Sequence, residues 1–378
     1  MRKMASVNIL AYDSVCSLGD LKQSIEMIEK SKVSISSRSI KIENQKSEIP
    51  YYLLKKRVKQ NRDDIQKALE SMLIKLLAKL DKQKLDSTAL IVGTSLIDWY
   101  LVDSINSCAY EYKKEPYYSQ KRSIDSYAKD LALKYGLSEF SMTINTACTS
   151  SANALLEAKN LIIEDIVEQV IVLGIEIYSP VMSSGFYMMD LLSKTKPKPF
   201  DTKRDGLVLG EAIAGMVLGK ENTAWTLKGG FSNCNSQTIT SVSSSGNECI
   251  EVMQKALKNS SLHVEDITAL KAHATGSSSN DEAEINAIEK LFSPNLIFTA
   301  LKPYIGHTIG ASGVLEIATL MGCIDKGFLP KTLFCNSPIS STYQPLSRHK
   351  RCDRGTFMCN YFGFGGNNTS LIIKKELK

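Results

Sequence analysis

The chain has 378 residues, 43% hydrophobic and 23% charged, which is the composition of a folded globular protein with ample length for a large buried core. Its net charge of +6 is spread along the sequence without a like-charge run long enough for a nucleic-acid-binding tail, leaving a Lys-rich surface or an acidic partner. Nine scattered cysteines show neither a Cys-x-x-Cys pair nor a histidine at zinc spacing, so no structural metal and no disulfides are expected; no segment approaches a signal peptide or a membrane span. A cytoplasmic setting follows, whose reducing conditions suit a free thiol.

Hydrophobic periodicity predicts a strand over Val7–Tyr12 and a helix over Leu21–Lys30, then polar, irregular surface from Ser31 to Asn61. A helix over Asp64–Leu80 and a buried strand over Ala89–Gly93 come next. The segment from Asp98 to Ser126 carries Trp99, Tyr100, Tyr110, Tyr112, Tyr117 and Tyr118 among charges, which fits a cap, a subunit contact or surface loops with packed tyrosines. Helix Ile124–Tyr135, strand Ser141–Asn145, helix Ser150–Ile163 and strand Gln169–Gly174 follow, then the apolar run Ala212–Leu218. Near Glu221 the pattern starts again: strand 224–229, helix 248–258, strand 267–273, helix 282–292, strand 296–300, helix 310–325 and a closing strand pair at 356–361 and 369–374. Strands apolar throughout and alternating with helices imply a sheet covered on both faces, an α/β protein in two halves.

Three places carry candidate chemistry. Cys148, in Asn145-Thr146-Ala147-Cys148-Thr149-Ser150-Ser151-Ala152, falls between a predicted strand and a predicted helix. The helix N-terminus would stabilise a thiolate and lower its pKa, although a buried structural cysteine is the other reading. His273 ends a strand before the small polar loop Ala274-Thr275-Gly276-Ser277, and His307 lies in Lys302-Pro303-Tyr304-Ile305-Gly306-His307-Thr308-Ile309-Gly310. The other two histidines, His263 and His349, have no such context. Near the C-terminus, Phe362-Gly363-Phe364-Gly365-Gly366-Asn367-Asn368 makes a glycine turn between strands, where close backbone approach could aim an N–H at an oxyanion. Because a strand follows, it is not a dinucleotide fingerprint.

In chain order these segments resemble the β-ketoacyl-acyl carrier protein synthases, the elongating Cys-His-His kind within the thiolase superfamily. Thr146-Ala147-Cys148-Thr149-Ser150 looks like the family's cysteine elbow, and Pro199-Phe200-Asp201 through Arg204-Asp205-Gly206 to Gly210-Glu211 like its mid-chain motif. His273 heads a variant of its His-Gly-Thr loop, Lys302 and His307 match its Lys and second His, Glu316 falls at the partner of that Lys, and Phe364 matches its Gly-Phe-Gly-Gly entrance.

The resemblance implies a five-layered α/β/α/β/α thiolase fold of two similar halves, residues 1–222 with the nucleophile and 223–378 with both histidines. It implies that Cys148 takes the acyl group and that His273 and His307 stabilise the enolate formed as malonyl thioester loses carbon dioxide. Lys302 with Glu316 sets the histidines' electrostatics and position, Phe364 and Cys148 supply oxyanion N–H groups, and Asp281 and Glu284 are supporting residues. It implies no bound cofactor, substrates carried on the phosphopantetheine of an acyl carrier protein, and a homodimer or a heterodimer with a chain-length-factor homologue. Ala274 in place of Gly, Ser277 in place of Thr and Asn367-Asn368 in place of Thr-Asn mark a divergent member, serving fatty-acid elongation or a pathway such as aryl polyene or another polyketide. A non-condensing partner subunit is the alternative; a CoA-dependent thiolase would need a second cysteine in the glycine turn, which Cys352 and Cys359 precede. Phe186, Met188 and Met189 are guesses for the pocket lining.

Overall fold

Two sheets of identical strand order form the frame. The computed structural model describes residues 6–42, 45–96, 124–234 and 244–376, so the tyrosine-rich segment singled out above lies, up to residue 123, outside the described residues. The first sheet contains β1 (Asn8–Cys16), β2 (Thr88–Gly93), β3 (Met142–Ile144), β4 (Gln169–Glu176) and β5 (Ala212–Gly219), in spatial order β3-β2-β4-β5-β1. The second contains β6 (Trp225–Cys234), β7 (Ala269–Lys271), β8 (Phe298–Thr299), β9 (Gly355–Phe362) and β10 (Asn367–Lys375), in order β8-β7-β9-β10-β6. In each sheet the third, second and fourth strands of the half run parallel, and the fifth and first pair antiparallel. The sheets meet through one paired position, Asn8 with Thr226.

Alternation along the buried strands assigns the layers, because successive side chains point to opposite faces. Ala89 and Ile91 of β2 face a central core with Phe357 and Cys359 of β9 and with the helices α4 (Ser150–Ile163) and α8 (Ser312–Asp325). Leu90 and Val92 face the other way, onto α2 (Arg62–Leu77) and α3 (Ser126–Tyr135). On the far sheet Leu270 and Met358 pack under α6 (Asn247–Asn259) and α7 (Ser278–Leu291). This is the five-layered α/β/α/β/α arrangement of two similar halves expected from the sequence. Helix α1 (Leu21–Glu29), held by a reciprocal capping box between Asp20 and Gln23, packs on α8.

The central helices approach closely at their N-terminal turns. A Cβ on Gly313 would lie 2.2 Å from the backbone N of Ala152, and one on Gly93 2.4 Å from Cα of Ser151. Only glycine permits that contact, and it brings the turn before α4 against the turn before α8. Each turn is a short 3-10 segment, Ala147–Thr149 and Ile309–Ala311, and its first residue has positive φ, 53° and 36°. No described helix is long and apolar enough to cross a membrane.

The stretch expected to be irregular, Ser31 to Asn61, instead contains a hairpin, Ser36–Ile42 paired with Gln45–Tyr51. Its signal was a weak period of two among lysines and serines: within the hairpin Ile40, Ile49 and Tyr51 are buried and the residues between them are not. Arg38 anchors it, donating to the buried Glu211 carboxylate at 3.1 Å; Leu54 N–H and Tyr178 N–H donate to the same group.

Candidate active site

Cys148 sits where the elbow puts it, between β3 and α4, and is 1% exposed. Ser150 fixes the elbow: its Oγ donates to Ala147 O at 2.7 Å and accepts from Thr146 N–H at 2.9 Å. Backbone N–H groups of Phe364 and of Cys148 itself point at Sγ. Gly363 lies beside Cys148, where an added Cβ would come 3.4 Å from the Cys148 Cβ. The expectation of a lowered thiol pKa is corrected here. Burial raises it to about 11; the Phe364 N–H and the Lys302 charge only partly offset that. The group at rest is a protonated thiol.

The partner that can take its proton is His307, whose Nε2 is 3.2 Å from Sγ. The mid-chain motif places this histidine: His307 N–H donates to Val208 O at 2.7 Å and Gly210 N–H donates to His307 O at 3.0 Å. A side chain on Gly210 would strike Ile305 O at 2.6 Å, so the strap fits only without one. Ser312 Oγ lies 3.3 Å from His307 Nδ1. A hydroxyl can donate or accept, so it serves either tautomer.

His273 faces His307 edge to face, with ring centroids 5.3 Å apart. Lys302 Nζ is 3.2 Å from His273 Nδ1 and donates to Glu316 Oε1 at 2.7 Å. His273 Nε2 is buried without a partner among the described residues. Burial, then the Lys302 charge, holds both imidazoles well below their ordinary pKa, so both are neutral. Glu284 accepts from the N–H groups of His273 and Ala274, each at 2.8 Å, and Asp281 accepts from Gly276 N–H at 3.1 Å and Phe200 N–H at 2.7 Å. Ala274 has φ of 49°, a left-handed conformation that glycine adopts more easily.

Cys148, His307, His273, Lys302, Glu316, Glu284 and Asp281 therefore form one connected buried group, with the half-buried Phe364 at its edge. His263 and His349 lie apart from it, His263 exposed ahead of a short 3-10 turn and His349 half-buried against Phe328. Sequence reading missed two members. Lys271, two residues before His273, donates to Glu316 Oε2 at 2.5 Å; a lysine inside an otherwise apolar strand was the signal. Glu176, at the end of β4, accepts from Ser95 Oγ at 2.7 Å and from Gly310 N–H at 3.0 Å.

Two family models cover these elements, "Beta-ketoacyl synthase, N-terminal domain" at residues 63–224 and "Beta-ketoacyl synthase, C-terminal domain" at residues 225–336. The chain belongs to the β-ketoacyl synthase family. It is similar to 3-oxoacyl-[acyl-carrier-protein] synthase II, chloroplastic, of Arabidopsis thaliana, with 28% identity over 79% of this chain and 59% of the relative. It is also similar to 3-oxoacyl-[acyl-carrier-protein] synthase 2 of Vibrio harveyi, with 27% identity over 70% of this chain and 68% of the relative. The fold matches a chain of the ketosynthase ApeO in complex with its chain length factor ApeC from Xenorhabdus doucetiae, at TM-score 0.84, 22% identity and coverage of 100% and 99%. It equally matches a type II PKS acyl-carrier protein in complex with its ketosynthase, at TM-score 0.85, 20% identity and coverage of 99% and 100%. These likenesses show the thiolase fold, and the named relatives are acyltransferases.

In this β-ketoacyl synthase an apolar wall flanks the thiol. Ile40 and Ile49 of the hairpin, Phe186, Leu192, Leu207 and Leu209 cluster with Cys148, and Phe364 stacks edge to face on Phe186 at 5.4 Å. Of the guessed pocket residues only Phe186 belongs here. Met188 and Met189 are 72% and 46% exposed, because they end helix α5 (Pro180–Met188) on its outward side. A cavity of about 560 Å³ adjoins the wall through Ile49 and Leu192.

The buried carboxylates give the synthase a pH signature. Burial raises Glu176 to about 7, against its three hydrogen bonds. Between the unfolded value near 4.3 and that pKa the folded state binds the extra proton, so Glu176 makes stability fall as pH rises through this window. Glu176→Gln is expected to gain on the wild type by on the order of 3 kcal/mol between about pH 4.5 and pH 8, read from denaturant midpoints. A constant difference across pH would contradict the assignment.

Proposed function

We propose that this chain condenses an acyl group, held on Cys148, with a malonyl thioester, each delivered on the phosphopantetheine of an acyl carrier protein. What carries the reading is the pairing of two neutral imidazoles: one with Nε2 3.2 Å from the thiol, the other with a buried Nε2 left without a partner.

In the first half-reaction the Cys148 proton passes to His307 Nε2 while Sγ attacks the acyl carbonyl. The N–H groups of Cys148 and Phe364 receive the oxyanion, and the phosphopantetheine thiolate leaves with the proton from His307. In the second, the malonyl carboxylate departs as carbon dioxide and its electron pair moves into the thioester. With its proton exchanged onto Nε2 and Ser312 Oγ donating to Nδ1, His307 joins His273 in donating Nε2–H to the enolate oxygen, and both bonds strengthen only as that charge develops. The nucleophilic carbon then attacks the acyl carbonyl and expels Sγ as thiolate, which takes a proton from solvent water. A positive charge on Lys302 that reaches His273 Nδ1 keeps the proton of that ring on Nε2.

The apolar wall of Ile40, Ile49, Phe186 and Leu209 fits a hydrocarbon chain, as fatty-acid or polyketide elongation requires. The basic surface suits an acidic carrier protein, and a cytoplasmic setting keeps the thiol free. The presence of His307 and Cys148 together supports a condensing role over a structural subunit of a heterodimer. Single-turnover release of carbon dioxide from malonyl carrier protein tests the assignment. His273→Ala is expected to slow it by about 10²-fold while acylation of Cys148 falls far less. Equal losses in both steps would overturn the division of labour.

A further inference from the structure

Lys271 is unusual among the charged groups of the core. Its side chain is 0% exposed, and it is the last residue of β7, two positions before His273. Its ammonium is fully engaged: it meets Glu316 Oε2 at 2.5 Å, donates to Asn360 O at 2.7 Å and sits 3.7 Å over the Tyr361 ring. Glu316 is thus held by two cations, one on each oxygen, and only Lys302 continues to the histidine.

The arrangement restricts what Glu316 can do. A carboxylate with both oxygens free would engage Lys302 through either and draw its ammonium away from the ring. With Oε2 occupied, Lys302 has one oxygen to meet and its remaining N–H groups free for His273 Nδ1. We infer that Lys271 is a positioning residue for decarboxylation: by occupying Glu316 Oε2 it keeps Lys302 on His273 Nδ1 and so holds the His273 proton on the unpartnered Nε2. This rests on the condensing mechanism proposed above.

The charges facing Lys271 are Lys302, Glu316 and Glu284, with the neutral His273, His307, Cys359 and Tyr361 beside them. Two cations against two carboxylates leave the cluster balanced, and removing Lys271 makes it more negative. His273 then protonates more readily, and imidazolium cannot accept from Lys302.

The test uses ¹⁵N-histidine spectra and single-turnover kinetics on the full chain, wild type beside Lys271→Gln and Lys271→Met. The wild type should show His273 as the Nε2–H tautomer. In the variants that preference should weaken, carbon dioxide release should fall about tenfold, and acylation of Cys148 should change by less than about twofold. The acid limb of carbon dioxide release should move to higher pH. An Nδ1–H tautomer in the wild type overturns the inference whatever the variants do. So does a Gln variant with unchanged histidine spectra whose two half-reactions decline together. Lys271→Gln loses the charge and is one atom shorter than Lys, yet stays polar, so it carries the readings if the Met variant does not fold. If the wild type releases no carbon dioxide, the condensing mechanism fails, and the histidine spectra alone decide the positioning.

Discussion

Replacing Cys148 by alanine is expected to abolish condensation, by at least about 10³-fold, without unfolding the protein. The thiol is the only atom lost, and its neighbours His307 and the Phe364 N–H remain where their own backbones hold them. Losing one buried sulfur costs about 1 kcal/mol, well within ordinary stability. Product formation from acyl and malonyl carrier proteins, with a thermal melt beside it, checks both halves of the expectation. If Cys148→Ala leaves an assembly active, the chain shapes a partner's pocket and does not itself condense.

Glu316→Gln should be the most destabilising polar change in the site. Glu316 is 0% exposed and is the shared anion of Lys271 and Lys302. Removing the charge leaves two buried ammonium groups facing each other, a loss of about 3–5 kcal/mol. The pH dependence identifies the cause. Burial already lowers Lys302, and Glu316 is what opposes that. In the variant Lys302 loses the anion that opposes its burial and titrates in the folded state below the unfolded value near 10.4, so the unfolded chain binds more protons. The deficit should therefore shrink as pH rises toward 10, by about 1.4 kcal/mol per pH unit where Lys302 is held neutral. Urea unfolding at a series of pH values, variant against wild type, measures it. A pH-independent loss would mean that packing, and not charge, is what Glu316 supplies.

Much of the frame was legible because buried strands and amphipathic helices leave strong periodic signals. The run Gln169–Gly174 continues as strand to Glu176, and the helix expected from Ser150 to Ile163 is observed with those bounds. The hairpin was not legible: its buried set is three side chains among lysines and serines, and its partner surface is the distant cluster around Cys148. Helix α5 was missed for a related reason, since its outer face carries the apolar Val181, Met188 and Met189 and hides the period.

At the site, sequence pointed to the residues, and geometry supplies what joins them. Nothing in the spacing of Cys148 and His307, 159 positions apart, indicates contact; the glycine-mediated approach of α4 and α8 brings it about. The thiol pKa was misjudged because a helix N-terminus is visible in sequence and the depth of burial is not. Lys271 was visible as a charge in an apolar strand, but its pairing with Glu316 crosses 45 residues.

Intact-protein mass spectrometry tests the condensing mechanism most directly. The chain is incubated with a panel of saturated, unsaturated and aryl acyl carrier proteins, then with malonyl carrier protein, with Cys148→Ala in parallel. An acyl adduct absent from the mutant, and cleared by malonyl carrier as β-ketoacyl product appears, is the predicted result. No adduct from any donor, or an adduct that persists in the mutant, would contradict it.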